Sequence, residues 1–231
     1  PVLNAMFENI LGESPYKSPT DMGVNMAGNC IIDDEVVCKA AKDEIIRRYY
    51  VGLCDRRKGL ISDEEVYKLE LLLKQAGVTP DDRKVVAAAL EKEEATGAPA
   101  AAMELPDGTI LTGRTSALLG AVSALLLNAL KYFAELDDST LLMSPHVIEP
   151  IQNLKVEHLG NNNPRLHTDE TLLALSICAN TDDNAKKAME QISNLRGCEV
   201  HSTVILSPVD ERIFKRLGIN LTCEPKYSNR D

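Results

Sequence analysis

Apolar residues recur every three to four positions through most of the first hundred residues, the spacing of one helical face. Val2, Leu3, Met6, Phe7 and Ile10 make a first set, closed by Gly12 and the region of Pro15. A second begins at Asp33, Asp34 and Glu35, acids suited to the positive end of a helix. It carries Val36, Val37, Ala40, Ile45, Ile46, Tyr49 and Tyr50 towards Cys54. Ser62 followed by Glu65 is a capping box, and it predicts a helix holding Val66, Leu69, Leu72 and Leu73 and stopped by Gly77. Thr79-Pro80 predicts another, with proline at its favoured first position, running to about Glu94.

The stretch Thr96-Gly97-Ala98-Pro99 breaks this pattern. Residues 101–105 and 109–113 flank Pro106-Asp107-Gly108, the mark of a β-hairpin. An apolar helix is expected from Thr115 to about Ala134. Beyond Pro150 the pattern reads as strand and helix in alternation: strand 172–178, helix 181–195, strand 199–206, helix 208–217 ended by Gly218, and strand 219–223. The expected fold is mixed α/β (α+β). A helical subdomain (1–97) precedes a subdomain (98–231) made of the hairpin and a β-α-β-α-β layer.

Of the 231 residues, 44% are hydrophobic and 26% charged, an ordinary globular balance. The net charge of -10 argues against nucleic acid and against an anionic membrane surface, both of which need a basic footprint. The richest apolar window, 117–130, is interrupted by Ser123 and Asn128 and is too short for a bilayer. Arg47-Arg48 and Arg56-Arg57-Lys58 read either as solvated helix faces or as local anion contacts. Cys30, Cys38, Cys54, Cys178, Cys198 and Cys223 form no CxxC pair and no zinc spacing. Free thiols in apolar contexts point to the reducing cytoplasm. The helical pattern is already under way at Pro1, without a cap, as expected of a fragment whose upstream part is missing.

Several chemistries lack their motifs. No His-Glu-x-x-His sets two imidazoles on one helical face; His146 and Glu149 lie between Pro145 and Pro150 and read as a turn, so no metal site is expected. No Gly-x-Ser-x-Gly marks a nucleophile elbow. The run from Leu111 to Ser116 resembles a strand entering a helix, where backbone amides bind an anion or simply form a cap. His201-Ser202-Thr203 on a strand reads best as a hydrogen-bonded structural histidine. Two loops are left. In the first, Asn163, Pro164, Arg165, Leu166 and His167 combine a planar cationic fork with a ring that titrates near neutrality. In the second, residues 18–25 place hydroxyls, Asp21 and Asn25 on a proline-stiffened backbone.

Longer runs carry a resemblance. They are Ser14-Pro15-Tyr16-Lys17-Ser18-Pro19-Thr20-Asp21-Met22-Gly23-Val24-Asn25-Met26, the segments 44–50 and 79–84, Leu159-Gly160-Asn161-Asn162-Asn163-Pro164-Arg165-Leu166-His167, His201-Ser202-Thr203 and Leu217-Gly218-Ile219-Asn220. Together they resemble the C-terminal half of the bacterial domain-of-unknown-function-1846 proteins over nearly the whole chain. The resemblance implies full-length proteins about twice this length, with an N-terminal half bearing a glycine-rich, lysine-bearing sequence similar to a nucleotide phosphate loop. Some members carry the label ATP-dependent zinc protease, which no zinc motif here supports. No catalytic residue transfers.

Two readings follow. In one the chain is half of an enzyme acting on a nucleotide or another phosphorylated small molecule, with magnesium and nucleotide held mainly by the missing half. His167 and Asp21 would then serve acid–base chemistry, while Asn25, Asn163 and Arg165 bind the anionic ligand. In the other the chain is a non-catalytic scaffold that packs on its own N-terminal half or forms a homo-oligomer, its polar loops acting as struts.

Overall fold

The protein's structure, a computed structural model, describes residues 2–12 and 34–228; the loop with Asp21 and Asn25, and also Cys30, lie outside the described residues. In chain order the helices before the sheet are α1 (Val2–Leu11), α2 (Asp34–Arg57), α3 (Asp63–Ala76) and α4 (Lys84–Thr96). The hairpin β1 (Ala100–Glu104) and β2 (Ile110–Arg114) follows, then α5 (Ala121–Phe133), α6 (Pro145–Asn153), α7 (Thr168–Cys178) and α8 (Asp183–Glu190). The chain closes with β3 (Glu199–Ser202), α9 (Pro208–Leu217) and β4 (Asn220–Cys223).

The fold is mixed α/β with a helical N-terminal part, and much of the local chemistry acts as its residues dictate. Ser62 and Glu65 form the capping box of α3: the Glu65 amide donates to Ser62 Oγ (3.4 Å) and the Ser62 amide to Glu65 Oε2 (2.9 Å). Gly77, Gly97 and Gly218 end α3, α4 and α9 in the left-handed conformation that glycine adopts without strain. The sheet order is β2-β1-β3-β4, antiparallel except for the β3–β4 pair, with His201 opposite Ala102 and Thr222. Alternation sends Ala101, Met103 and Val200 into the main core with α5, α7, α8 and α9. Ala102 turns to the other face, where it packs with Val85 and Ala89 of α4. Tyr50 of α2 meets the His201 ring on that same side, with ring centroids 4.8 Å apart.

The expected strand at 172–178 is instead α7, so the C-terminal layer runs helix, helix, strand, helix, strand. A short continuous apolar run fits a buried strand and a buried helix equally well by periodicity. The stop and start signals decide it: Asp169 and Glu170 stand in the first turn, and Glu170 Oε2 accepts the His167 amide (2.8 Å). Other boundaries shift too. Pro80–Asp82 is a separate 3-10 turn ahead of α4, the amide of Thr79 donating to Asp82 Oδ2 (2.7 Å). The expected helix 181–195 divides into α8 and a 3-10 turn at Ile192–Leu195, and the strand expected at 199–206 stops at Ser202. His146 and Glu149 belong to α6, which Ser144 caps and which contains Pro150, rather than to a turn. The helix expected from Thr115 begins only at Ala121. Ser116 Oγ first accepts the amides of Leu118 (3.2 Å) and Leu119 (3.1 Å), which holds the intervening chain in a turn.

Gly113 sets the distance between β2 and α5. A Cβ there would stand 2.4 Å from the Leu125 amide nitrogen and 2.7 Å from the Ala121 carbonyl oxygen, both backbone atoms that no rotamer change can move. Gly113→Ala is expected to force α5 off the sheet and to cost about 3 kcal/mol, the upper end of ordinary overpacking. Gly97→Ala, which meets nothing within 4 Å, should cost only about 1 kcal/mol of left-handed strain. Urea denaturation of the two variants checks the contrast; equal losses would show that α5 can shift freely.

Candidate functional site

The loop after α6 is clipped to the segment that enters α5. Leu166 forms a parallel bridge with Leu119: its amide donates to the Leu118 carbonyl (2.9 Å), and its carbonyl accepts the Gly120 amide (3.4 Å) and Ser123 Oγ (3.2 Å). Leu166 is buried, so Arg165 and His167 on either side of it are carried to the N-terminus of α5. That terminus has Gly120 as its cap, with no side-chain cap bond and no acid in the first turn. The first-turn amides of a helix have no acceptor within the helix, and their aligned dipoles favour an anion.

His167 also lies beside Asp210, in the first turn of α9. Its Nδ1 is 3.1 Å from Asp210 Oδ2, which also accepts Ser207 Oγ (2.7 Å). Asp210 Oδ1 accepts both the amide (2.8 Å) and the hydroxyl (2.7 Å) of Thr168. One buried carboxylate thus caps α7 from outside and orients the histidine. An ionised carboxylate only accepts, so Nδ1 carries the proton and Nε2 of the neutral ring has a lone pair. Nε2 makes no hydrogen bond among the described residues. The hydrogen bond to Asp210 raises the His167 pKa above its ordinary value, against an opposing effect of burial. Burial alone would raise Asp210, but hydrogen bonds from His167, Thr168 and Ser207 outweigh it and bring the carboxyl down to about 2.

A second anchor lies behind the loop. Leu154–His158 forms a π turn, and from it Lys155 reaches inward, its side chain only 3% exposed. Lys155 Nζ donates to the Arg165 carbonyl (2.6 Å) and to Glu170 Oε2 (2.7 Å), the oxygen that also holds the His167 amide. The buried charge is paired, as burial demands, and both loop residues hang from it. Asn163 Oδ1 accepts the Arg165 amide (3.1 Å) in a local turn, and Arg165 Nε donates to the Ser116 carbonyl (2.8 Å). The Arg165 Nη groups have no partner among the described residues.

Asn163, Arg165, His167, Ser207 and Asp210 line one cleft of about 150 Å³, together with the α5 terminus from Gly120 to Ser123. Three of the five residues singled out in the sequence, Asn163, Arg165 and His167, therefore meet in space; Asp21 and Asn25 lie outside the described residues. Asp210 and Lys155 were not singled out. Ser207-Pro208-Val209-Asp210 signals a helix start, which explains Asp210 as a cap and hides its bond to a histidine 43 positions away. Nothing in the sequence marks Lys155 as buried.

His201 is structural, as its strand position suggested. It is fully buried, with Nδ1 2.9 Å from Thr222 Oγ1 and Nε2 3.1 Å from Glu224 Oε1. Burial lowers its pKa, against the pull of Glu224. Among the described residues, no group of three or more His, Cys, Asp or Glu side chains is placed to hold a metal ion, and no helix is long and apolar enough to cross a membrane.

Comparison with known proteins extends over the whole chain. It is 55% identical over 230 residues to a UPF0371 protein of Corynebacterium efficiens, a match covering 100% of this chain and 46% of the relative. It is 51% identical over 229 residues to a UPF0371 protein of Streptococcus pyogenes serotype M3, covering 99% and 46%. The chain spans about half the length of the curated relatives it matches. Residues 1–77 match the N-terminal domain of unknown function DUF1846, and residues 81–231 match the C-terminal DUF1846 domain. The chain therefore belongs to the DUF1846 family, whose function is unknown.

Proposed function

We propose that this chain contributes an anion-binding, acid–base site to an enzyme acting on a phosphorylated small molecule. The observation that carries the reading is the shared cleft: among the described residues, an Asp210-oriented histidine whose Nε2 has no partner, an arginine whose Nη groups have none, and a helix N-terminus without a side-chain cap. Arg165 and the α5 amides suit the charge of a phosphoryl group. His167, with its raised pKa, donates a proton to a leaving group and Nε2 takes one back. A cleft of about 150 Å³ holds a phosphate but not a nucleoside, since whole-ligand pockets run from roughly 300 Å³ upwards. The rest of a nucleotide, and any magnesium, would sit outside this cleft, with the part of the longer relatives that this chain lacks. The buried thiols Cys54 and Cys198, whose pKa values burial pushes up to about 11, suit a reducing cytoplasm in which they stay unreactive.

The scaffold reading draws on a different observation: Arg165 Nε and Asn163 Oδ1 are both spent on backbone groups. The two are separated by titrating inorganic phosphate into the protein while following the His167 ring by NMR. Saturable shifts at His167 and at the Ala121 and Val122 amides are expected, with affinity falling about 10- to 100-fold in Arg165→Ala, the loss of a charged hydrogen bond. An unmoved His167 ring at saturating phosphate would leave the loop as a strut.

A further inference from the structure

A groove of about 920 Å³ lies away from this cleft, where the sheet ends at β4. Its walls come from both sides of the sheet: Tyr50, Val51 and Leu69 from the α2–α3 pair, and Glu211 and Lys215 from α9. Leu221 and Cys223 contribute from β4 between them. Among the described residues β4 has a single strand neighbour, β3. The Asn220 and Glu224 amides donate towards β3, to the Cys198 and Ser202 carbonyls (both 2.9 Å). By ladder alternation the backbone groups of Leu221 and Cys223 point the other way, along the groove. Among the described residues the Cys223 carbonyl takes only a thiol there, Cys54 Sγ at 3.2 Å.

The rim carries charges of both signs, including Lys68, Lys215, Glu65 and Glu211, around an apolar floor. Val51 is 51% exposed, and the Tyr50 hydroxyl, on a residue 4% exposed, makes no hydrogen bond among the described residues. An open strand edge beside apolar side chains is a template for another strand. One wall of the groove, α2 and α3, belongs to the N-terminal DUF1846 domain, and the opposite wall and β4 belong to the C-terminal one. The groove therefore continues an interface that the two domains already share. More than half of each curated relative lies outside the match.

We propose that in the full-length proteins of this family an extended segment of the N-terminal domain, from the part of the relatives that this chain does not span, fills this groove and pairs with β4 as a fifth strand. The pairing would satisfy Leu221 and Cys223 and cover Val51. It is independent of the phosphate reading, because the groove and the His167 cleft have no residue in common.

Hydrogen exchange on this chain and on the full-length Corynebacterium efficiens relative tests it. The amides of Leu221 and Cys223 are expected to exchange about a hundredfold more slowly in the full-length protein than here, as edge amides do on gaining a partner, while amides within α7 change little. Equal rates at the β4 edge in the two proteins would overturn the proposal. So would protection of these amides that appears in this chain alone and rises with its concentration, because the occupant would then be a second copy.

Discussion

Arg83→Met is expected to destabilise the protein by about 3–5 kcal/mol, the range for stripping one partner from a buried charge network. Arg83 is only 7% exposed and stands between the last turn before α4 and the ends of β3 and β4. Its Nε donates to Thr222 Oγ1 (3.0 Å), and its Nη2 to the carbonyls of Val200 (2.8 Å) and Asn220 (2.9 Å). Its Nη1 pairs with Glu199 Oε2. Glu199 Oε1 in turn accepts Arg47 Nη1 of α2 (2.9 Å) and Asn220 Nδ2 (2.7 Å). Methionine fills the volume of the stem but answers none of these acceptors. Because Glu199 keeps Arg47 and Asn220, the loss should lie nearer the lower figure. Arg47→Met, at a side chain 19% exposed, should cost only about 1 kcal/mol. Urea denaturation at neutral pH measures both. A loss under about 1 kcal/mol for Arg83→Met, with an unchanged denaturant slope, would mean that the network is not holding α4 to the sheet.

Asp210→Asn is expected to change both the pH profile and the chemistry of the cleft. The folded pKa of Asp210 is about 2, against an ordinary value of 3.8. Its contribution to stability is therefore complete above about pH 4 and is lost as pH falls through about 2. The shift corresponds to on the order of 2 kcal/mol. His167 works in the opposite sense. Its folded pKa is raised above 6.5, so its contribution is complete below about 6.5 and is lost as pH rises through the raised value. The pair stabilises most between those limits, and the asparagine variant should lose that maximum. NMR titration should show the His167 pKa falling towards 6.5 or below once the carboxylate is gone. Under the proposed acid–base role, a less firmly oriented ring should lower turnover of a phosphorylated substrate by about 10²–10⁴-fold, the usual contribution of a positioned acid or base. A variant with an unchanged His167 pKa would dissociate the histidine from Asp210 and remove the geometry on which the acid–base role rests.

What could be read from the residues follows distance along the chain. Ser62 with Glu65, the hairpin around Pro106-Asp107-Gly108 and the terminating Gly218 act within a few residues of themselves, and each forms the element it signals. The 172–178 run failed because seven apolar-rich residues do not contain their own period. Its helix is decided at the entry, where Asp169 and Glu170 start it and Glu170 holds the His167 amide, and where Asp210, arriving from α9, adds an outside cap on the amide and hydroxyl of Thr168. The 163–167 loop stood out because its residue types are chemically dense, yet what that density is for depends on groups the sequence keeps far apart.

Sequence alone therefore determined the helical opening, the hairpin, the mixed α/β class and the attention drawn to Arg165 and His167, because caps, turns and side-chain chemistry are local properties of the chain. Only the tertiary structure decided that Asp210 stands behind His167, that Lys155 holds both loop residues from inside, that α5 presents its terminus to them, and that β4 is the last strand of the sheet among the described residues. Those facts are set by burial and by contacts between residues tens of positions apart, where the free energy of packing outweighs any local preference and leaves no periodic trace in the sequence.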